Sequence, residues 1–214
     1  MHAAFPRFSK EINQIMQLGA VNSTVSELMD RAGGRLLAEG MAKLLKLGFG
    51  FLMWDSIFTK EQPEKAENFF NENFVIKDST LPGGKRYYQG KFLIRTKKPD
   101  DDMNVLLKFC PQPGKLYKKT LFGNILDPLS VITTKTLKED QAEQLEKDQN
   151  QVDLVIRFKD VKTIKGLLKQ PDVDMVGLLL DNVVQLTGNV GHLFKLGAIA
   201  QNVEREIDLP KLYA

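Results

Sequence analysis

The sequence has few of the residues that most enzymes use for catalysis. Among 214 residues there is one cysteine, Cys110, and the only histidines are His2 and His192. A single cysteine excludes an intrachain disulfide framework and is typical of a reducing compartment, so we expect a cytoplasmic protein. Acyl-transfer triads need a base, usually histidine, beside a nucleophile. We interpret His192 as a structural imidazole and Cys110 as a partly buried thiol at the end of a strand, and we predict that the chain is not an enzyme.

Motifs for metal and nucleotide binding are missing as well. The sequence contains no HExxH, CxxC or EF-hand spacing and no G-x-x-x-x-G-K-[ST] phosphate loop. We interpret the carboxylates of Asp100, Asp101 and Asp102 as a polar loop tip, so neither a metal nor a cofactor is predicted. The net charge of +3 is too small to indicate nucleic acid as a partner.

Long apolar runs are also absent. The N-terminus has no charged segment followed by an apolar one, so no signal peptide is predicted. The most apolar stretch, residues 41–54, is interrupted by Lys43 and Lys46, whereas a membrane-spanning helix needs roughly 20 apolar residues. This stretch is expected to pack onto the body of the protein or onto a second copy. Contact with a membrane interface is the alternative, through Leu47, Phe49, Phe51 and Trp54.

Residues 8 to about 74 have a helical pattern. Ser23 or Thr24 can cap a helix that Glu27 supports, and leucines then recur at helical spacing. Glycines inside a helix cost about 1 kcal/mol each relative to alanine. They indicate either breaks between two or three helices or places where another helix packs closely. These glycines are Gly33, Gly34, Gly40, Gly48 and Gly50. A further short helix is predicted to begin near Pro63.

After a turn-rich linker at residues 78–90, the apolar period changes to that of strands. Residues 91–98 and 105–110 predict a hairpin, and the β-branched residues 130–136 predict another strand. Residues 152–158, VDLVIRF, have the clearest strand pattern, because apolar side chains alternate along them.

Helices dominate the rest of the chain. Short helices are predicted after Asp160, a candidate N-cap, and from Pro171. A strand at 183–189 and a final amphipathic helix follow. The polar segment 138–151 is interpreted as an exposed helix or a mobile excursion with a solvated charge run. This order predicts an α+β fold, with helices on one face of a twisted sheet.

Two features of the C-terminal region bear on function. The final helix carries Gly191, Gly197, Ala198 and Ala200, and small residues on a helix that covers a sheet leave room that a close-packed core would fill. An ordinary core explains any single apolar residue here, whereas the whole set favours a lid over an apolar cavity.

Lysines surround the short helix after Asp160. We interpret them as a solvated face, with attraction to anionic lipid headgroups as the alternative. They are Lys159, Lys162, Lys165 and Lys169.

In order and spacing, these segments resemble the sterol carrier protein type-two family. The resemblance covers residues 85 to about 207 and implies a mixed five-stranded sheet whose helices enclose a hydrophobic tunnel. It also implies a sterol, fatty acid or acyl chain carried without covalent chemistry. Residues 114–150 are longer and more polar than the family pattern. The matching segments are GKFLIRTKK, NVLLKFC, VDLVIRF, KDVKTIKGLLKQ, PDVDMVGLLLDN, VVQLTGN and VGHLFKLGAIAQNV.

The prediction for the whole chain is a helical extension at residues 1–77 followed by a sterol-carrier-like, lipid-binding domain at 85–214. Its expected function is non-enzymatic binding and transfer of a hydrophobic ligand, a sterol, a fatty acid or an acyl or prenyl chain. The alternative is a non-catalytic accessory protein of the same fold that presents a lipid intermediate to partner enzymes. Further expected partners are an anionic membrane surface, contacted transiently, and a second copy bound through the N-terminal helices. The residues predicted to line the tunnel are Leu154, Ile156, Phe158, Leu179, Leu186, Leu193, Phe194, Leu196 and Ile199.

Overall fold

The computed structural model describes residues 33–58, 65–121, 123–148, 150–167 and 175–206. The helices are α1 (Gly34–Phe58), α2 (Lys65–Phe74), α3 (Pro128–Val131), α4 (Glu139–Glu146), α5 (Val161–Leu167), α6 (Met175–Leu180) and α7 (Gly191–Glu206). The strands are β1 (Val75–Lys77), β2 (Lys85–Tyr87), β3 (Lys91–Thr96), β4 (Asn104–Phe109), β5 (Tyr117–Thr120), β6 (Gly123–Leu126), β7 (Ile132–Thr136), β8 (Leu154–Phe158) and β9 (Val184–Gly188).

Five strands form one mixed sheet, in the order β7-β4-β3-β8-β9. The central strand β3 runs parallel to β8, and all other neighbours are antiparallel. A short turn at Pro99–Asp101 lets β3 and β4 pair as the predicted hairpin. A parallel pair instead needs a crossover connection, and the crossover between β3 and β8 includes α4. The predicted α+β class and the mixed five-stranded sheet are confirmed.

Side chains alternate across the sheet, as the period of a strand requires. In β8, Leu154 and Ile156 lie on one side, called here the front face. Val155 and Arg157 lie on the other side, the back face. The alternation predicted for this strand is confirmed.

The front face packs against α1, α2 and α7. Phe92 of the sheet is buried in one cluster with Leu37 of α1, Phe70 of α2 and Ile199 of α7. Burying a large apolar side chain stabilises a fold by about 1.5–3 kcal/mol. Helices from the predicted extension and strands from the predicted C-terminal domain therefore share one hydrophobic core.

Helix α1 is continuous over 25 residues. The predicted breaks at Gly40, Gly48 and Gly50 are wrong, because the helix runs through all three positions. The other interpretation, that another helix packs closely at the glycine, applies at Gly50. A Cβ atom there would lie 2.8 Å from Cδ2 of Leu129, the second residue of α3. Packing of this kind offsets the weak helix propensity of glycine. Within the residues that the structure describes, no helix is long and apolar enough to cross a bilayer.

The back face carries a cluster of buried charges under α4. The guanidinium of Arg95, whose side chain is 6% exposed, contacts Glu139 and lies 2.7 Å from Oε2 of Glu146. Arg157 contacts the same Glu146, and Nδ2 of Asn104 donates to Glu139 at 2.9 Å. We call these five residues the back-face ion cluster. The prediction that the charges of residues 138–151 are simply solvated is therefore wrong for Glu139 and Glu146. Ala142 of the same helix is fully buried, which places α4 against the sheet.

Two short hairpins lie where the sequence predicts only turns or a polar connection. β1 pairs with β2 around the turn-rich linker, and β5 pairs with β6 within the long segment 114–150. The predicted cap of α5 is confirmed, since Oδ1 of Asp160 accepts a hydrogen bond from the backbone N–H of Thr163 at 2.8 Å. The predicted helix starts at Ser23 or Thr24, Pro63 and Pro171 lie outside the described residues.

Candidate functional site

Eight of the nine residues predicted to line a tunnel lie in one layer between the front face and the helices. Leu154, Ile156 and Ile199 are buried there. The ninth residue, Phe194, is 74% exposed on the outer side of α7. The structure thus brings the predicted side chains together, with Phe194 as the exception. The five that are partly buried against this layer are Phe158, Leu179, Leu186, Leu193 and Leu196.

The small residues of α7 lie at its surface. Gly191, Gly197 and Ala198 are exposed, and a Cβ atom at Gly197 would meet nothing within 4 Å. The helical period of 3.6 residues turns Gly191 and Ala198 away from Leu193 and Leu196, whereas Gly197 follows Leu193 by four residues and lies near the same side. The expectation that small residues leave room inside the fold stays a prediction. The side chain of Ala200 lies outside the described residues.

A polar pair lies where the first turn of α7 meets the sheet. The hydroxyl of Tyr88 is 2.7 Å from Nδ1 of His192, and the two rings stack with centroids 5.6 Å apart. Phe92 contacts the edge of the imidazole, with centroids 6.1 Å apart. Oδ1 of Asn189 accepts from the N–H of Gly191 at 2.9 Å and so fixes the start of the helix. The prediction that His192 is a structural imidazole agrees with these contacts.

Gly90 allows the Tyr88 ring to fold back towards α7. A Cβ atom at position 90 would lie 2.4 Å from the Tyr88 hydroxyl and 2.9 Å from the Phe92 ring. Contacts this short do not occur between real side chains, so any larger residue here would displace Tyr88. The polar pair therefore depends on this glycine.

An open pocket of about 450 Å³ lies beside the polar pair. Its rim is basic through Lys85 and Arg86, although Arg86 is also 3.3 Å from a carboxylate oxygen of Asp78. Its inner wall includes Tyr88, which is only 8% exposed and packs on Phe109 of the core at 5.9 Å. The pocket therefore has positive charge at its rim, and the Tyr88 side chain of its wall separates it from the apolar layer. The lining residues are Lys85, Arg86, Tyr87, Tyr88, Gln89, Gly90, Pro113, Asp153 and His192.

The electrostatics of the pocket keep the tyrosine neutral. Burial raises the pKa of Tyr88 well above its ordinary value of 10, and the negative charge of Asp153 raises it further. The phenol therefore stays protonated at neutral pH and can donate a hydrogen bond to a neutral imidazole. Burial also lowers the pKa of Lys195, whose ammonium lies 6.0 Å from the Tyr88 ring centroid. Donors and a carboxylate of this kind can form hydrogen bonds with a polar ligand group, whereas a phenol that stays protonated cannot accept a proton as a base.

The other chemically reactive residues have structural positions. Cys110 is fully buried, and burial raises the pKa of its thiol to about 12, so the nucleophilic thiolate is not populated at neutral pH. Of the three neighbouring aspartates, Asp101 accepts a hydrogen bond from the N–H of Val161 at 3.0 Å and so helps to position α5. Over the part of the chain that the structure describes, no group of three or more His, Cys, Asp or Glu side chains could hold a metal ion.

Sequence reasoning missed the polar pair and the pocket. Tyr88 and His192 are 104 residues apart, and Tyr88 lies in a segment whose three glycines and one proline predict only a turn. No local motif links the two residues, so only the fold reveals the pair.

Comparisons with protein-family models, with curated proteins and with solved structures found no match to this chain.

Proposed function

We propose that this protein binds and carries a hydrophobic ligand, a sterol, a fatty acid or an acyl or prenyl chain, between the front face of the sheet and α7. The ligand is held without covalent chemistry, and the protein works in the cytoplasm. The fold class agrees with what the sequence resemblance implies, but it does not by itself identify a ligand.

The observation that carries the proposal is that the apolar layer under α7 lies next to the polar pocket beside Tyr88 and His192. Leu193 and Leu196 of α7 are only half-buried against the core, so this part of the layer is less tightly covered than the centre of the sheet. Tyr88 belongs both to the core and to the wall of the pocket. An amphipathic lipid fits this arrangement, with its chain along the layer and its head beside Lys85 and the polar pair.

The energetics favour a ligand with a long chain. Each methylene moved from water into an apolar environment contributes about 0.8 kcal/mol. Ten methylenes would contribute about 8 kcal/mol, which corresponds to a dissociation constant near 1 μM before ordering costs are subtracted. Few fixed polar anchors lie along the layer, so we expect tolerance towards the identity of the chain.

Native mass spectrometry of the gently purified full chain, followed by organic extraction, tests the proposal. We expect a bound species that extracts as lipid, and saturable uptake of a fluorescent fatty acid by the delipidated protein. Leu196→Lys, which places a charge in the layer, should weaken uptake of the probe by tenfold or more, because an unpaired charge is costly away from water.

Leu36→Lys is the matched control, because Leu36 is a helical leucine that is already 58% exposed. It should leave uptake unchanged, and thermal melts of both variants report whether they fold. A folded wild-type protein that yields no lipid and takes up neither fatty acyl nor sterol probes would contradict the proposal. A stable complex with a partner enzyme together with weak uptake of free lipid would favour the accessory function instead.

A further inference from the structure

The β5–β6 hairpin has an apolar residue at its tip. The register pairs Thr120 with Gly123, so only residues 121 and 122 join the strands. The side chain of Leu121 is fully exposed, with a relative exposure of 101%. Ile125, which pairs with Lys118 across the hairpin, is 41% exposed.

Turn chemistry does not explain a leucine at this position. Among the described residues of this turn, the positive φ angle, +109°, is at Gly123, and Leu121 is not one of the asparagine, aspartate or glycine residues that two-residue hairpin loops favour. The sequence instead has Leu121 followed by Phe122, which itself lies outside the described residues. Leu121 gains no burial against the described residues, so it adds nothing to the described core. Its side chain is free to make a contact outside the chain.

The flanks of this hairpin are basic. Between residues 114 and 126 the sequence has Lys115, Lys118 and Lys119 and no acidic residue. All three lysines are exposed, although Lys118 lies 2.8 Å from the Asp127 carboxylate at the base of the hairpin. An apolar tip between lysines is complementary to a bilayer with anionic headgroups, since the tip can enter the chain region while the ammonium groups stay at the surface.

We propose that the β5–β6 hairpin docks the protein onto an anionic lipid bilayer, with Leu121 inserted and Lys115 and Lys119 beside the headgroups. The inference does not depend on the carrier function. It does place the docking element near the pocket, because Pro113, which lines the pocket, begins the short turn that leads into β5.

The lysines around α5 are the competing membrane contact. Lys159 and Lys162 are exposed, but the described residues of α5 place no large apolar side chain at the surface beside them. Charge without an insertable residue gives a weaker and more salt-sensitive contact. The hairpin combines both features and is the stronger candidate.

Co-sedimentation of the full chain with phosphatidylcholine vesicles, with and without phosphatidylserine, tests the proposal. We expect binding that requires phosphatidylserine and weakens as salt is added. Leu121→Ser should reduce the partition coefficient about tenfold, since a leucine side chain is worth that much or more on burial. The double variant Lys115→Gln and Lys119→Gln should reduce it about fivefold per lysine.

Matched controls keep the test specific. Leu180→Ser removes another exposed leucine, 77% exposed at the end of α6, and the double variant Lys159→Gln and Lys162→Gln removes two lysines of α5. Both should bind vesicles like the wild type. The proposal is overturned if the wild type ignores anionic vesicles, if Leu121→Ser binds unchanged, or if the α5 variant loses as much as the hairpin variant. Uptake of the fluorescent fatty acid without vesicles reports the carrier function separately and should be normal in Leu121→Ser.

Discussion

Replacing Glu146 with glutamine tests whether the back-face ion cluster stabilises the fold. Glu146 bridges two guanidinium groups, accepting from Arg95 at 2.7 Å and contacting Arg157. Glutamine has almost the same shape but carries no charge. The substitution therefore leaves the packing of α4 in place and removes the negative charge between two positive ones.

The expected loss follows from the burial of the three side chains. Arg95 is 6% exposed, Glu146 15% and Arg157 26%, so the cluster is shielded from water but not sealed. Hydrogen bonds to charged groups contribute about 1.5–3 kcal/mol each, and the remaining amide oxygen of glutamine keeps part of one of them. Glu139 still neutralises Arg95 from its other side. We expect the free energy of unfolding to fall by about 2–3 kcal/mol, since breaking a buried pair leaves uncompensated charge.

Urea denaturation followed by circular dichroism measures this loss, and a thermal melt should show a midpoint lower by about 5–10 °C. Glu39→Gln is the matched control. It makes the same substitution in the Arg35–Glu39 pair of α1, where the side chains are 40% and 43% exposed, and it should cost no more than about 0.5 kcal/mol. Equal losses in the two variants would refute the reasoning that burial gives the back-face ion cluster its strength.

Three further outcomes are expected. Cys110, whose burial raises its pKa to about 12, should not react with a thiol reagent at neutral pH until denaturant unfolds the chain, and rapid labelling of the native protein would contradict this. Gly188→Ala should lower the free energy of unfolding in urea by about 2 kcal/mol or more, because φ is +112° and the new Cβ would lie 2.4 Å from the Asp153 carbonyl oxygen; an unchanged midpoint would show that the strand end relaxes freely. Asp160→Ala should cost about 1 kcal/mol through loss of the α5 cap. Hydrogen bonds from Thr163 hold the pKa of Asp160 below 3.8, so its contribution is present above about pH 4 and is lost as pH falls through the folded pKa; the cost of Asp160→Ala should therefore shrink in acid.

Strands of five or six mostly apolar residues were predictable from the sequence. β3, β4 and β8 are almost wholly buried, on both faces of the sheet, and a short apolar run bounded by turn residues is typical of such a strand. β1, β2, β5 and β6 are only three or four residues long. Such strands are too short to show a period, and they were therefore predicted as a linker or not at all.

The errors in the helices have one cause, which is packing between distant segments. Gly50 lies inside α1 because α3 approaches it closely, a contact that helix propensity cannot report. The charges of α4 look like a solvated face because its partner Arg95 lies 44 residues before Glu139. In the same way, Tyr88 and His192 are 104 residues apart, so their partnership needed the fold.

The two faces of the sheet differ in chemistry, and this difference indicates which face can admit a ligand. On the back face, an apolar chain placed between α4 and the sheet would leave Arg95 and its carboxylates buried without partners, and buried unpaired charge is strongly unfavourable. On the front face, Leu193 and Leu196 are partly buried apolar side chains that pack against the core. Moving α7 outwards breaks the hydrogen bond between Tyr88 and His192 at its first turn and exposes apolar area at about 25 cal/mol per Å². A lipid chain that enters covers the apolar area again. An apolar ligand can replace apolar contacts of the front face but not the ion pairs of the back face, which is why the proposal places the ligand in the layer under α7.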